Sequence, residues 1–78
     1  MNSELLSRVV LDPKIMRGKP VIRGTRIPVE MLVRMVAQRI SDADILHEYP
    51  RLQSEDIEAA LLYSANVVAN EDVFPVAG

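Results

Sequence analysis

Ser41-Asp42-Ala43-Asp44-Ile45-Leu46-His47-Glu48-Tyr49-Pro50-Arg51-Leu52-Gln53-Ser54-Glu55-Asp56-Ile57 holds two helix starts separated by one stop. Ser41 is a capping residue, and Asp44 three places on stands in for the Glu of a capping box. Ile45 and Leu46 give a short helix its apolar side, and Pro50 drives its predecessor out of the helical region, so this helix ends near Glu48. Ser54-Glu55-Asp56 repeats the pattern, with a capping Ser and acids at the positive end of the next helix dipole. Ile57, Ala60, Leu61, Ser64, Ala65 and Val68 then recur at helical period, and Asn70 is a fitting C-terminal cap. The expectation is a helix over 42–48, a turn of about five residues centred on Pro50-Arg51-Leu52, and a helix over 55–69, the spacing of a helix-turn-helix.

Upstream, Pro28 suits the first position of a helix, where its missing N–H costs nothing. Val29, Leu32, Val33, Val36 and Ala37 follow as one stripe, with Glu30 and Arg34 paired i,i+4, so a helix is expected over 28–38. Before it, Val9-Val10-Leu11 and Val21-Ile22 are short β-forming pieces around Pro13, Gly18 and Pro20, and Gly18 and Gly24 suit positive φ at turns. The predicted fold is mainly α: a three-helix, homeodomain-like domain over residues 1–70 with a short N-terminal β arm at 9–23 and a tail at 71–78. Leu32, Val36, Ile45, Leu46, Ile57, Leu61 and Ala65 are the expected core.

At 78 residues the chain makes one domain with a thin stability margin. It has no Cys and one His, so neither a disulfide nor a zinc site is available as a staple. A homodimer joined through the N-terminal arm is therefore expected. The start lacks the pattern of a signal peptide and no stretch approaches a membrane span, which predicts a cytoplasmic protein. Charge is divided unevenly. Residues 1–39 carry eight basic groups against three acids, and residues 40–78 carry one base against eight acids. Such polarity suits an electrostatically steered binding protein, and it equally suits ordinary solvated helix faces.

The pieces Asp12-Pro13, Gly18-Lys19-Pro20-Val21-Ile22-Arg23-Gly24-Thr25-Arg26-Ile27-Pro28-Val29, Ile45-Leu46-His47-Glu48-Tyr49-Pro50 and Asp56-Ile57-Glu58-Ala59-Ala60-Leu61 resemble the bacterial and archaeal domain of unknown function family four-three-three. The likeness covers roughly residues 9–68, and its specific part is the run from Gly18 to Val29. The resemblance implies a homeodomain-like fold with a β-rich N-terminal arm. It further implies an antitoxin of a toxin–antitoxin system, encoded beside a PIN-like ribonuclease toxin.

No constellation for catalysis stands out. Gly18-Lys19 lacks the hydroxyl residue and the upstream Gly of a phosphate loop. His47 has no nucleophile beside it and reads as a helix-end residue. Asp42, Asp44, Glu55 and Asp56 are explained as first-turn acids, and a two-metal nuclease needs carboxylates converging in a cavity. The chain is thus read as a binding protein and not an enzyme, with no cofactor and no metal. Lys14, Arg17, Lys19, Arg23 and Arg26 crowd one segment, fit to meet phosphates or an acidic partner surface, or else to guard an exposed strand edge. Arg26 is the sharpest candidate, with a structural Arg tied to turn carbonyls as its rival. Arg51 and Gln53 can reach DNA from the turn, whereas Glu55, Asp56 and Glu58 at the start of the last helix oppose phosphates. Phe74, the only Phe, is expected to anchor a protein partner or to fold back on its own domain. The leading expectation is neutralisation of a PIN-like toxin, with duplex DNA as a weaker second partner. A stand-alone DNA-binding transcriptional regulator and a structural adaptor are the alternatives.

Overall fold

The computed structural model describes residues 2–70. Among them the chain is mainly helical, with a two-stranded antiparallel sheet. The elements run α1 (Asn2–Leu6), β1 (Val9–Val10), β2 (Val21–Ile22), α2 (Val29–Ala37), α3 (Asp42–Glu48) and α4 (Ser54–Asn70). α4 is the central post: α1, α2, α3 and β1 all pack on it.

The helix signals act largely as their chemistry dictates. Ser41 caps α3, its hydroxyl accepting the Asp44 N–H at 3.1 Å. Pro28 lies one residue before α2 with φ −67° and ψ 142°, not inside it. Glu30 and Arg34 pair at 3.6 Å as their spacing predicts. At α4 the cap differs from expectation. Ser54 is already helical, and it is the Asp56 carboxylate that accepts the N–H of Gln53 at 2.8 Å.

The short β arm expected at 9–23 is present as an antiparallel pair of strands, and the departure lies ahead of it and in its loop. α1 is a helix ahead of the arm that was not among the expected elements, and the strands are two residues each, with Val9 opposite Ile22 and Val10 opposite Val21. The loop between them turns through a 3-10 segment, where Met16, Arg17 and Gly18 take φ of 51°, 57° and 80°. The second edge of β2 is closed by its own chain: Ile22 donates to the Ile27 carbonyl at 3.0 Å, and Val29 to that of Pro20 at 2.9 Å. Val9, Val21 and Ile22 are buried. The segment is part of the core and adds to the apolar burial of a domain whose size leaves a thin margin.

The core cluster gathers Val9, Ile22, Val29, Leu32, Ile45, Leu52, Ile57, Ala59 and Ala60. Of the expected core, Leu32, Ile45 and Ile57 are buried and Val36 and Leu46 half-buried, but Leu61 and Ala65 are exposed. α4 is rotated from the expected stripe: Ile57 and Ala60 are buried as expected, and Asp56 and Ala59 turn inward beside them. Small alanines let neighbouring helices approach closely and give little contrast between the faces of the helix, which is why the expected stripe placed Leu61 and Ala65 inward. Phe74 lies outside the described residues.

Candidate binding face

Two turns far apart in sequence build one face. The first joins β2 to α2. Gly24 adopts φ 78°, a left-handed conformation open to glycine without strain. Thr25 then locks the turn: its N–H and its hydroxyl both donate to the Ile22 carbonyl, at 3.0 and 2.7 Å, and the hydroxyl accepts the Ile27 N–H at 3.0 Å. With its backbone so held, Arg26 is an exposed side chain on a rigid base. No turn carbonyl holds its guanidinium among the described residues, so the rival reading of Arg26 as a structural tie is set aside.

The second turn joins α3 to α4. It brings Arg51 against Ile15, Gly24, Thr25 and Arg26, and these five residues line a depression of about 430 Å³. Arg51 also borders a neighbouring depression of about 370 Å³, shared with Glu4, Ser7, Arg8, Arg23, Gln53 and Asp56. Arg23, Arg26, Arg51 and Gln53 therefore share one face.

Within that face the cations have unequal freedom. The Arg23 guanidinium donates twice to the Ser7 carbonyl, at 2.9 and 2.7 Å. Arg8 donates to the Gln53 side chain at 3.2 Å and to Asp56 at 3.0 Å. Lys14 and Arg17 are exposed on the loop that carries Ile15. Among the described residues no ion pair engages Lys14, Arg17, Arg26 or Arg51. Lys19 is separated from them: it lies 3.7 Å from Glu30 and borders the α2–α4 groove instead.

The acids at the start of α4 are fewer on the surface than expected. Asp56 is 6 % exposed and is partnered by Arg8 and the Gln53 N–H, leaving Glu55 and Glu58 exposed. Arg8 and Thr25 were missed as contributors to the face. Thr25 had a local signal in its place after Gly24, whereas Arg8 meets Asp56 across 48 positions and had none. Electrostatically, Arg26 and Arg51 offer guanidinium forks unpaired among the described residues, the geometry that suits carboxylate or phosphate oxygens.

The sequence profile of the family described as "Protein of unknown function (DUF433)" matches residues 9–64. The crystal structure of a DUF433 member protein from Anabaena variabilis is similar at a TM-score of 0.75 and 34% identity, over 86% of this chain and 66% of that one. An uncharacterized protein, y4eO, of Sinorhizobium fredii is 39% identical over 56 residues, which are 72% of this chain and 25% of that protein. An uncharacterized protein of Archaeoglobus fulgidus is 60% identical over 30 residues, 38% of this chain and 83% of that one. The chain thus spans a quarter of the length of the Sinorhizobium relative.

Proposed function

The chain belongs to the DUF433 family, and on that footing we propose that it is an antitoxin-like binding protein, not an enzyme, that neutralises a cognate PIN-like ribonuclease toxin. The observation that carries this reading is the convergence of Arg26 and Arg51 from two separate turns, each with its guanidinium unpaired among the described residues. A metal-dependent nuclease holds its ions with converging carboxylates. Guanidinium forks pair with carboxylates bidentately, so Arg26 and Arg51 would cap such a cleft and keep metal and RNA out. Arg23 and Gln53 border the contact, Lys14 and Arg17 widen its positive field, and Phe74 supplies an apolar anchor for the toxin.

Duplex DNA is the second and weaker partner in this reading. α2, α3 and α4 act as a homeodomain-like trio, with α3, the Tyr49–Gln53 turn and α4 as the helix-turn-helix. Arg51 in that turn, beside Arg26, favours contact with phosphates. Glu55 and Glu58 on the exposed side of α4 oppose deep entry of that helix into a groove, so the arginine face and not α4 would carry affinity. The protein acts in the cytoplasm beside its toxin.

The test is co-expression with the neighbouring gene, then pull-down and a ribonuclease assay of the complex. Replacing Arg26 and Arg51 together by Ala should release ribonuclease activity, while Lys19→Ala should leave inhibition intact. Full inhibition by the double variant would remove the arginine face from the mechanism.

A further inference from the structure

The second half of α4 is at odds with a helix that faces only water. From Ala59 to Asn70 it contains no charged residue, and from Ala65 to Asn70 every residue is exposed. Val68 is 72% exposed, Val67 40% and Leu61 38%. Surface helices ordinarily carry charged residues on their outer side, and the first half of α4 does so with Glu55 and Glu58. The uncharged half is also shaped. A groove of about 410 Å³ runs on one side, with Pro20, Val29, Val33, Tyr63 and Val67 among its walls. On the other side lies a depression of about 520 Å³ bounded by Leu6, Val9, Tyr63, Asn66, Val67 and Asn70. Tyr63 and Val67 belong to both, so they form a ridge between two hollows.

We propose that this face is the contact between two copies of the chain, α4 packing against α4 of a partner about a two-fold axis. An isologous contact sets a surface against itself, so any charge near the axis meets its like. The stretch from Ala59 to Asn70 avoids that penalty by carrying none. The charges that line the groove, Lys19, Glu30 and Arg34, are paired with one another, Glu30 lying 3.7 Å from Lys19 and 3.6 Å from Arg34, which leaves a single net positive charge at its rim. A ridge flanked by hollows is what helix packing requires of both partners at once, since each ridge needs a groove to enter. A carboxylate-rich toxin or a nucleic acid would call for cations free of ion pairs; among the described residues Arg26 and Arg51 on the arginine face are such cations, whereas Lys19 and Arg34 at this groove are held by Glu30. The contact also replaces the expected pairing through the N-terminal arm, whose Val9, Val21 and Ile22 are buried within their own domain.

The test needs neither toxin nor DNA. The full chain is followed by sedimentation equilibrium from about 1 to 200 μM. A dimer is expected, and replacing Val67 and Val68 together by Glu should raise its dissociation constant about a hundredfold or more, because each copy then buries unpaired carboxylates. Both sites are exposed in the single chain, so far-UV circular dichroism should be unchanged. Phe74→Ala should leave the dimer intact. A wild-type chain that is monomeric throughout would overturn the proposal, and a fall in its thermal stability with Phe74→Ala would name its own tail as the cover. An unaltered dissociation constant in the Val67→Glu, Val68→Glu variant would overturn it equally.

Discussion

Replacing Asp56 by Ala probes the joint between the two ends of the described chain. The carboxylate has two partners: Oδ2 accepts the Gln53 N–H at 2.8 Å and Oδ1 accepts from Arg8 at 3.0 Å. The first bond satisfies an N–H at the start of α4, and losing a charged acceptor there costs about 1–2 kcal/mol. The Arg8 side chain is 34% exposed against 9% for Asp56, so the ion pair is partly screened and contributes about 0.5–1 kcal/mol. Arg8 rehydrates when its partner goes. The expected loss is therefore about 1.5–3 kcal/mol, or roughly 6–24 °C in melting temperature for a domain of this size. Asp56→Asn keeps an acceptor for the Gln53 N–H and should cost about 1 kcal/mol. Urea denaturation at one fixed protein concentration provides the measurement. Glu55→Ala, one residue away on the exposed side, is the control and should stay within about 0.5 kcal/mol. A double-mutant cycle with Arg8→Ala should yield a coupling of about 0.5–1 kcal/mol. If Asp56→Ala proves as mild as Glu55→Ala, the reasoning from burial and pairing fails.

Other expectations follow from the same packing. Ile45→Ala or Leu32→Ala, each at a site with 0% exposure, should cost about 2–5 kcal/mol in the same denaturation assay. Leu61→Ala should cost well under that, because its side chain already meets water. Thr25→Val removes the hydroxyl that both donates to Ile22 and accepts from Ile27; a loss of about 1–2 kcal/mol is expected, with Thr25→Ser nearly neutral. If duplex DNA is bound, the double variant Arg26→Ala, Arg51→Ala should flatten the salt dependence by about one unit per lost phosphate contact. Lys19→Ala should leave that slope unchanged, and a reversed ranking would reassign the phosphate site.

The helices from residue 28 onward were largely legible because their punctuation is local. Ser41, Pro50 and Pro28 act on their own backbone neighbours, and so do Gly18 and Gly24, which take positive φ as expected. α1 was not legible. Five residues cannot sustain a helix by propensity; α1 persists because it packs on α4, and that contact is tertiary. The phase of α4 was misjudged for a related reason. Between Ala59 and Asn70 no charge marks a solvent side, so Leu61 was expected in the core, whereas packing with α2 and α1 buries Ala59 and leaves Leu61 exposed. The basic segment illustrates the same limit at the candidate site. Five cations adjacent in sequence read as one patch, but the chain turns through positive φ at Met16, Arg17 and Gly18. Lys19 is thereby parted from Arg26. The nearness of Arg26 to Arg51 arises only when the two turns meet.

The central post also governs how the chain comes into being. α4 is the last described element in chain order, and every earlier helix leans on it. At a synthesis rate of about 5–20 residues per second, the first fifty residues spend on the order of seconds outside the ribosome with nothing to lean on. Val9, Val21 and Ile22, later buried, are bare throughout that interval. The same stretch holds eight of the nine basic groups of the chain, and flanking charges of this kind act as gatekeepers against premature association of apolar strands. The basic surplus of this stretch thus guards the nascent chain until α4 is made.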